Sequence, residues 1–433
     1  MKNILKSILF ILPYLVIGQE LSRRGNWQAS FKEPTDGFGA KVVSIEPNSP
    51  MEKANIKVGD IVLKVDGVHV SSSEQWSTIF YSLREDKEIK LMLRRLDEVF
   101  NVKLSFNAIP LEENENVETI YGQIISDAGV KQRTIITRPK NVKGKLPSLV
   151  LVQGLSCSTV EVFPGRNGNW SKQIKYLVEN SNMVVMRVEK PGVGDSDGDC
   201  SETDFLTELE GYRAAIRTLK GKDYVDSKRI VVYGSSLGSA LAPLLANEFD
   251  LAGVISEGTF FKTWFEHMLE IERRIRKMSG DDESTITKKM NQGYIPLYYA
   301  MLVEKKTYQE IINENPSLVE YNYHSKRHMY GKPVEYYHQL QKFDLASEWE
   351  KLKVPVRILY GSNDWIMSEQ DQDMIIDVLD KAEHQDHKLV VYPGLDHWNT
   401  IHKTPEDSFN GGTGEWDDRV PKLIIEWCKE ILH

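Results

Sequence analysis

The sequence predicts an α/β protein, with a mostly parallel sheet flanked by helices and an inserted helical cap, preceded by a small β-rich module. Short apolar runs such as 148–153 and 183–188 alternate with segments of helical spacing, which is typical of strands buried on both faces. About a hundred residues separate two later strands, 251–256 and 356–360, too many for an unstructured connection. Residues 24–106, in contrast, show short strands and turns.

Composition narrows the classes of function. The chain has 433 residues, a formal net charge of −9 and 41% hydrophobic residues, which indicates a globular protein. An acidic surface without a cluster of basic and aromatic residues repels phosphate backbones, so we expect no nucleic-acid partner. The sequence lacks the G-x-G-x-x-G pattern, and we predict no cofactor.

The N-terminus predicts export. Lys2 and Lys6 precede an apolar run at 8–17, which ends at Gly18, and this pattern is typical of a secretory signal peptide spanning 1–18. The run is about half the length that crosses a bilayer, so we expect no integral membrane segment after processing. We therefore expect a periplasmic or secreted protein, with a retained N-terminal anchor as the alternative.

The first elements build the β-rich module. Residues 41–45 alternate as a strand does, 58–65 lead into the turn Asp66-Gly67, and 74–83 show helical spacing. The run from Ser49-Pro50 through Gly59-Asp60 to Asp66-Gly67 resembles bacterial PDZ domains, in the permuted form found in secreted and periplasmic proteases. We place this domain at 24–106, followed by an acidic, proline-containing linker at 107–116.

The resemblance to PDZ domains implies a peptide ligand. Such domains add an extended C-terminal peptide as a strand, and main-chain amides capture its carboxylate. The resemblance implies that the carboxylate loop is 24–28, with Gly25, Asn26, Trp27 and Gln28, while 37–40 is a competing candidate. A docking module without a free ligand is the alternative interpretation.

The second part of the chain, 117–433, carries the strand and helix alternation. Residues 117–125 and 133–137 flank Asp127-Ala-Gly129 as a hairpin. The further predicted strands are 148–153, 183–188, 229–233, 251–256, 356–360 and 388–392. Helical patterns rich in aromatic residues fill the long connection, so we predict a cap at about 259–345 that covers an active site and shapes its pocket.

A candidate nucleophile lies between a strand and a helix. An apolar strand at 229–233 runs into Gly234-Ser235-Ser236-Leu237-Gly238 and then into a helix of small residues. This G-x-S-x-G context exposes the serine on a sharp turn that only glycines can flank. The register makes Ser236 the nucleophile rather than Ser235, because Tyr233 and Leu237 would otherwise occupy the glycine positions.

Two further strand ends supply an acid and a base. Asp364 follows strand 356–360 and His397 follows strand 388–392, so both leave the same edge of the sheet as Ser236. Asp396 is a less favoured rival acid, because its position directs it away from the imidazole. The order Ser236, Asp364, His397 resembles the α/β-hydrolase superfamily, especially its serine aminopeptidase-like and esterase branch.

The resemblance to α/β-hydrolases implies an oxyanion site. In this fold one donor is an amide of the loop after a strand equivalent to 148–153, and the other is the residue after the nucleophile. These positions correspond to the amides of Leu155 and Leu237. Gln153 stands where the family commonly has histidine, which leaves the backbone donors in place.

The cysteines and histidines complete the candidate residues. Cys157 and Cys200 both lie on loops at the C-terminal edge of the sheet, so in an oxidising compartment we predict a disulfide between them, with two unpaired cysteines as the alternative. Cys428 is left as a buried thiol. His324 and His328 lack a third ligand, and we predict no metal site.

Together these features predict a serine hydrolase that cleaves an ester or thioester through an acyl-enzyme at Ser236. One alternative is a serine peptidase or aminopeptidase that acts on small peptides. Another is a PDZ peptide-binding protein with an idle hydrolase domain. The expected partners are a small-molecule ester or peptide substrate and a C-terminal peptide ligand of the PDZ domain.

Overall fold

A computed structural model of the protein describes residues 20–32, 39–85 and 87–433. The predicted signal peptide, 1–18, lies outside these residues. Among the helices that are described, none combines the length and the apolar character needed to cross a membrane.

The N-terminal part forms an antiparallel sheet with two helices. Its elements are β1 (Ala29–Lys32), β2 (Ala40–Ile45), α1 (Pro50–Lys53), β3 (Ile61–Val65), β4 (Val68–His69), α2 (Ser73–Ser82), β5 (Ile89–Arg95) and β6 (Glu98–Leu104). The strand order is β1-β2-β3-β5-β6, and β4 pairs with β3. The Ser49 hydroxyl caps α1, and Asn55 turns the chain with a φ of 59°, as expected of a residue that tolerates the left-handed region.

The second part contains the large sheet and its connections. Its strands are β7 (Val117–Ile125), β8 (Lys131–Pro139), β9 (Leu146–Val152), β10 (Val184–Val188), β11 (Val225–Ser235), β12 (Gly253–Glu257), β13 (His328–Met329), β14 (Lys332–Pro333), β15 (Val356–Gly361), β16 (His387–Tyr392), β17 (Thr400–Ile401) and β18 (Glu415–Trp416). The order β16-β15-β12-β11-β9-β10-β8-β7 is parallel except at β8 and β7. The five strands β9, β10, β11, β12 and β15 are largely buried, as their apolar sequences predict.

Helices cover both faces of this sheet. They are α3 (Asn169–Asn180), α4 (Phe205–Lys220), α5 (Leu237–Phe249), α6 (Trp264–Met278), α7 (Glu283–Lys289), α8 (Ile295–Tyr298), α9 (Tyr308–Glu314), α10 (Val334–Leu340), α11 (Leu345–Glu350), α12 (Glu369–Lys381), α13 (Pro405–Phe409) and α14 (Arg419–Leu432). Helices α3 and α14 pack on one face, whereas α4, α5 and α12 pack on the other. The hydrolase-like layering predicted from the alternating pattern is therefore present.

The connection from β12 to β15 folds as helices, as expected of a cap. It contains α6 to α11, two π-helical segments (Met290–Tyr294 and Tyr299–Val303) and a 3₁₀ helix (Pro316–Tyr321). Tyr298, Tyr336 and Tyr337 are fully buried and belong to the hydrophobic core, whereas Tyr299, Tyr323 and Tyr330 are exposed. Trp264, on α6, stacks on Tyr337 with ring centroids 4.6 Å apart. Trp264 also lines the pocket that contains Ser236.

The predicted linker, 107–116, has no helix or strand but is packed against the second part of the chain. Glu112 is 7% exposed and pairs with Arg187 on β10 at 2.5 Å. Near it, Arg23 pairs with Glu161 and Asp195, and Asp195 also pairs with Arg133. This buried ionic network joins the segments on either side of the N-terminal sheet, at Arg23 and Glu112, to the second part of the chain, so the two parts share a specific interface.

Candidate active site

Ser236 lies on a strained turn between β11 and α5. Its backbone has a φ of 55° and a ψ of −126°, a conformation that a residue with a Cβ adopts only under tertiary constraint. A Cβ on Gly234 would lie 2.3 Å from the Gly238 carbonyl oxygen, and a Cβ on Gly238 would lie 2.1 Å from the Val152 carbonyl oxygen. Both glycines are therefore required for the turn, as the sequence motif predicts.

His397 and Asp364 approach Ser236 from the ends of β16 and β15. The distance from His397 Nε2 to Ser236 Oγ is 3.0 Å, and that from His397 Nδ1 to Asp364 Oδ2 is 2.7 Å. The other Asp364 oxygen, Oδ1, accepts the amides of Ile366 and Met367 at 2.9 Å each. The structure thus brings together the three predicted residues in hydrogen-bonding order, with the carboxylate held by the backbone.

The charges of this group stabilise one another. Burial raises the pKa of Asp364, but the attraction and hydrogen bond of His397, together with two backbone amides, outweigh it and hold that pKa below the usual range. Burial likewise lowers the pKa of His397, but Asp364, with smaller contributions from Glu257 and Asp396, raises it overall. The pair therefore favours an imidazole that can accept a proton while Asp364 remains ionised.

Asp396, the rival acid, makes other contacts. Its Oδ2 lies 3.3 Å from His402 Nε2 and accepts a hydrogen bond from Ser408 at 2.7 Å. Its Oδ1 accepts the amides of Trp398 and Thr400 at 2.9 Å each. Asp396 thus holds the loop that carries His397 rather than the imidazole itself, as the sequence predicts.

A buried glutamate beneath the serine was missed by the sequence analysis. Glu257, the last residue of β12, accepts hydrogen bonds from Tyr233, Gln173 and Asn399, and its carbonyl accepts the Ser236 amide at 2.8 Å. Burial, the largest influence, raises the pKa of Glu257. An acidic residue at the end of an otherwise apolar strand was the available signal.

The loop that carries Leu155 runs directly against the serine. A Cβ on Gly154 would lie 2.9 Å from Ser236 Cβ, so only glycine allows this approach. Leu155 follows on this loop, and Leu237 is the first residue of α5 after Ser236. The two predicted oxyanion residues therefore lie on either side of the nucleophile.

Two buried lysines and one glutamate anchor this loop. Lys190 donates to the Gly154 carbonyl and pairs with Glu208 at 2.7 Å. Lys332, from the cap, pairs with the same Glu208 at 2.9 Å and donates to the Cys200 carbonyl at 3.0 Å. A disulfide joins Cys200 to Cys157, with Cα atoms 5.9 Å apart, and Cys428 is a buried free thiol. The three ionic groups were not identified from the sequence because their charges lie far apart along the chain.

The pocket at Ser236 is apolar and of moderate size. It has a volume of about 460 Å³ and is walled mainly by aromatic and aliphatic side chains. The large apolar members are Trp170, Trp264, Ile271, Tyr330, Ile366, Met367 and Trp398, with Trp264, Ile271 and Tyr330 supplied by the cap region. No described Asp, Glu, Lys or Arg side chain lines this pocket. Burial lowers the pKa of His267, which also lines it, to about 3, so this imidazole is neutral.

The predicted carboxylate loop of the PDZ domain requires a correction. The Gly25 amide donates to the Leu83 carbonyl at 3.0 Å, and the Asn26 amide donates to the Asn107 carbonyl at 2.7 Å. These two amides serve the fold and cannot capture a peptide carboxylate. Trp27 is buried in the aromatic core, and the Gln28 amide donates to the Asn26 side chain at 3.0 Å, which a ligand would have to displace. In the competing loop 37–40, residues 37–38 lie outside the described part.

His324 and His328 have separate surroundings. His328 Nε2 lies 3.0 Å from a Glu202 oxygen, whereas burial lowers the pKa of His324 to about 4. Across the described ranges, no group of three or more His, Cys, Asp or Glu side chains is arranged to hold a metal ion.

Comparisons with known proteins agree with this architecture. Residues 162–402 match the family described as serine aminopeptidase, S33, and residues 16–106 match the PDZ domain. The chain is similar to esterase EstD of Thermotoga maritima, with 25% identity over 295 residues that cover 67% of this chain and 64% of EstD. The chain therefore spans less than two thirds of the length of this relative.

Solved structures that resemble this chain include Pf2001 and Est1E. The Pyrococcus furiosus esterase Pf2001 is 14% identical with a TM-score of 0.45, and the match covers 75% of this chain and 97% of that one. Est1E from Butyrivibrio proteoclasticus is 18% identical with a TM-score of 0.44, and the match covers 71% and 97% of the two chains.

Proposed function

The chain belongs to the serine aminopeptidase (S33) family of α/β-hydrolases, and we propose that it is a carboxylesterase-like member that cleaves an ester or thioester. The single observation that carries this proposal is the hydrogen-bonded series Ser236, His397, Asp364, with distances of 3.0 and 2.7 Å. Serine hydrolases activate their nucleophile through such a series.

In the proposed reaction, Ser236 Oγ attacks the carbonyl carbon of the substrate. His397 Nε2 takes the hydroxyl proton and later gives it to the departing alcohol or thiol, while Asp364 keeps the imidazole oriented and stabilises its charged form. The resulting acyl-enzyme is hydrolysed by a water molecule that His397 activates in the same way. The amides of Leu155 and Leu237 are the proposed donors to the oxyanion of each tetrahedral intermediate.

The pocket favours an ester over an aminopeptidase substrate. An aminopeptidase has to bind the free ammonium group at the N-terminus of its substrate close to the scissile bond, and a desolvated ammonium needs a carboxylate partner. No described carboxylate lines the pocket around Ser236, whose walls are mainly apolar. This surface suits a neutral acyl or alcohol group next to the reacting carbonyl.

We also propose that the protein acts in the periplasm or outside the cell, and that its PDZ domain binds an extended peptide. The basic and apolar N-terminal sequence and the disulfide between Cys157 and Cys200 support the first proposal. The match of residues 16–106 supports the second. Mass analysis of the exported protein would reveal removal of the residues up to Gly18, whereas an uncleaved N-terminus would contradict processing.

The proposed activity is tested by comparing two substrate classes with the full chain. We expect turnover of 4-nitrophenyl butyrate, no comparable turnover of alanyl-4-nitroanilide, and loss of ester turnover in Ser236→Ala. Preference for the anilide would favour the peptidase alternative. Absence of both activities in correctly folded protein would favour the PDZ binding protein with an idle hydrolase domain.

A further inference from the structure

A second, larger cavity lies between the PDZ domain and the catalytic part of the chain. Its volume is about 1010 Å³, and its walls come from the outer side of α2, from the loop 192–202 and from cap residues 323–331. Tyr330 lines both this cleft and the pocket at Ser236. Ser156 lines the pocket and its neighbour Cys157 lines the cleft, so the Leu155 loop borders both spaces.

Two arginines on the PDZ side of this cleft lack a carboxylate partner. Arg24 and Arg84 both line it and lie opposite each other in an antiparallel β-bridge. Like charges in directly opposed positions repel each other. Neither side chain makes an ion pair with any carboxylate in the described part of the chain, although Arg23 next to them pairs with both Glu161 and Asp195.

Arg24 is the more deeply buried of the two arginines. It is only 9% exposed, and its Nε is buried without a hydrogen-bond partner among the described atoms. Its guanidinium lies 4.6 Å from the centre of the Tyr81 ring, and its backbone amide is held by Asp195 at 2.8 Å. A buried guanidinium with unused donors raises the free energy of the empty site, since desolvated charges need partners.

Arg84 presents its charge to the same space. Its donors reach three backbone carbonyls, those of Tyr81, Leu83 and Ser196, at 3.1 to 3.3 Å. These contacts fix the side chain without neutralising it. Burial lowers the pKa of both Arg24 and Arg84, and the more distant carboxylates, among them Asp195, offset this effect only in part.

The acidic side chains of the cleft have their own partners. Asp199 accepts the Ser201 amide and hydroxyl at 2.9 and 2.7 Å, and Glu202 pairs with Arg327 at 3.1 Å and with His328 at 3.0 Å. Arg24 and Arg84 therefore remain the two guanidinium groups that line the cleft without an ion pair among the described residues.

We propose that this cleft binds a carboxylate of the substrate through Arg24 and Arg84, while the ester group of the same molecule lies at Ser236. Paired guanidinium groups are suited to a carboxylate, because several N–H donors can reach its two oxygens. The shared wall at Tyr330 makes cleft and pocket neighbours, and the pocket itself offers no cation. The substrate class is accordingly an extended ester with a remote acid group, which rests on the proposed esterase function.

The test compares charged and neutral versions of one substrate series. The probes are the 4-nitrophenyl half-esters of adipic, suberic and sebacic acid, each beside its methyl-capped neutral diester. We expect the wild type to favour the acid form of at least one chain length in kcat/KM by about tenfold or more, as for hydrogen bonds to charged groups. Arg24→Gln and Arg84→Gln should each bring this ratio close to one.

A matched control removes an equivalent contact elsewhere. Arg138, on β8, lies 4.5 Å from the Tyr224 ring centre and pairs with Glu118, away from the cleft. Arg138→Gln should keep the wild-type ratio of acid to neutral turnover. The proposal is overturned if no chain length favours the acid in the wild type, or if the preference survives in Arg24→Gln and Arg84→Gln.

Calorimetry tests carboxylate binding in the cleft independently of the proposed esterase activity. The same compounds are titrated into full-length Ser236→Ala, which reports binding whether or not the wild type is an esterase. Tighter binding of the acid forms, lost on adding Arg24→Gln, supports the cleft even if ester turnover is absent. Equal binding of acid and neutral forms would contradict it, and tighter binding of inorganic phosphate than of adipate would overturn the assignment to carboxylates.

Discussion

Ser236 combines a strained backbone with a hydroxyl group that lines the pocket, and its oxygen contributes a contact to His397 rather than to the core. Ser236→Ala should therefore lower ester turnover by about a thousandfold or more while the melting temperature stays unchanged. Stopped assays with 4-nitrophenyl butyrate and thermal melts measure both. Ser235→Ala, which changes the serine one residue earlier on β11, is the control for the register of the motif. Near wild-type turnover in Ser236→Ala would contradict the assignment of Ser236 as the nucleophile.

His397 should also determine the acid limb of the pH profile. A general base works when neutral, so activity falls as the pH drops through its pKa. Because Asp364 and nearby acids raise the pKa of His397, we expect the midpoint of kcat/KM above the usual histidine value of about 6.5. Asp364→Asn should lower kcat strongly and move the limb to lower pH; an unmoved limb would contradict the assigned roles.

Among the structural elements, the loop after β9 depends on a buried ionic group. Glu208 pairs with Lys190 and Lys332. Lys190 donates to Gly154 of that loop, and Lys332 donates to Cys200, which the disulfide joins to Cys157 of the same loop. Glu208→Gln leaves two buried ammonium groups without their counter-ion, which should lower the free energy of unfolding by about 3–5 kcal/mol.

Urea unfolding of Glu208→Gln measures this loss. The control is Glu248→Gln, because Glu248 also pairs with a cation, Arg213, but is partly exposed. Exposed pairs contribute about 1 kcal/mol or less, so the control should remain close to the wild type. Equal effects of the two substitutions would show that Glu208 is not a special anchor.

The disulfide ties the same loop to the segment after β10. It closes a loop of 43 residues, for which chain entropy sets an upper contribution of about 4 kcal/mol. Replacing both Cys157 and Cys200 with alanine should lower the unfolding free energy by up to that amount and reduce kcat more than KM, because oxyanion donors act through preorganisation. Mass analysis after alkylation should show two extra alkyl groups only after reduction; their appearance without reductant would contradict the bond.

At the scale of the whole molecule, two neighbouring arginines lie at the interface between the N-terminal part and the second part of the chain. Their substitution should affect the melting temperature differently. Arg23 neutralises Glu161 and Asp195, so Arg23→Met should destabilise the interface and lower the melting temperature. Arg24 has no such partner, so Arg24→Met should leave the melting temperature unchanged or raise it. Small-angle scattering should show a larger radius of gyration than that of the wild type for Arg23→Met but not for Arg24→Met. Identical behaviour of both variants would contradict this division of roles.

The short-range patterns predicted much of this protein. The glycines around Ser236, the helix start at Ser49 and the alternation of strands and helices depend on neighbours along the chain, so the sequence alone identified them. The order of parallel strands then placed Asp364 and His397 at one edge, because parallel strands share the direction of their C-terminal ends.

Other features were decided by tertiary structure alone. The Gly25 and Asn26 amides serve the fold instead of a ligand because Leu83 and Asn107 lie beside them. Likewise, the sequence does not show which side chains surround Glu257 and Glu208. Folding brings groups from distant positions of the chain next to each charged side chain. These groups determine whether the charge is exposed, paired or left without a partner. Local patterns therefore determined the elements and the nucleophile, whereas the lack of an ion-pair partner for Arg24 and the partners of Glu208 and Glu257 became apparent only when the chain was folded.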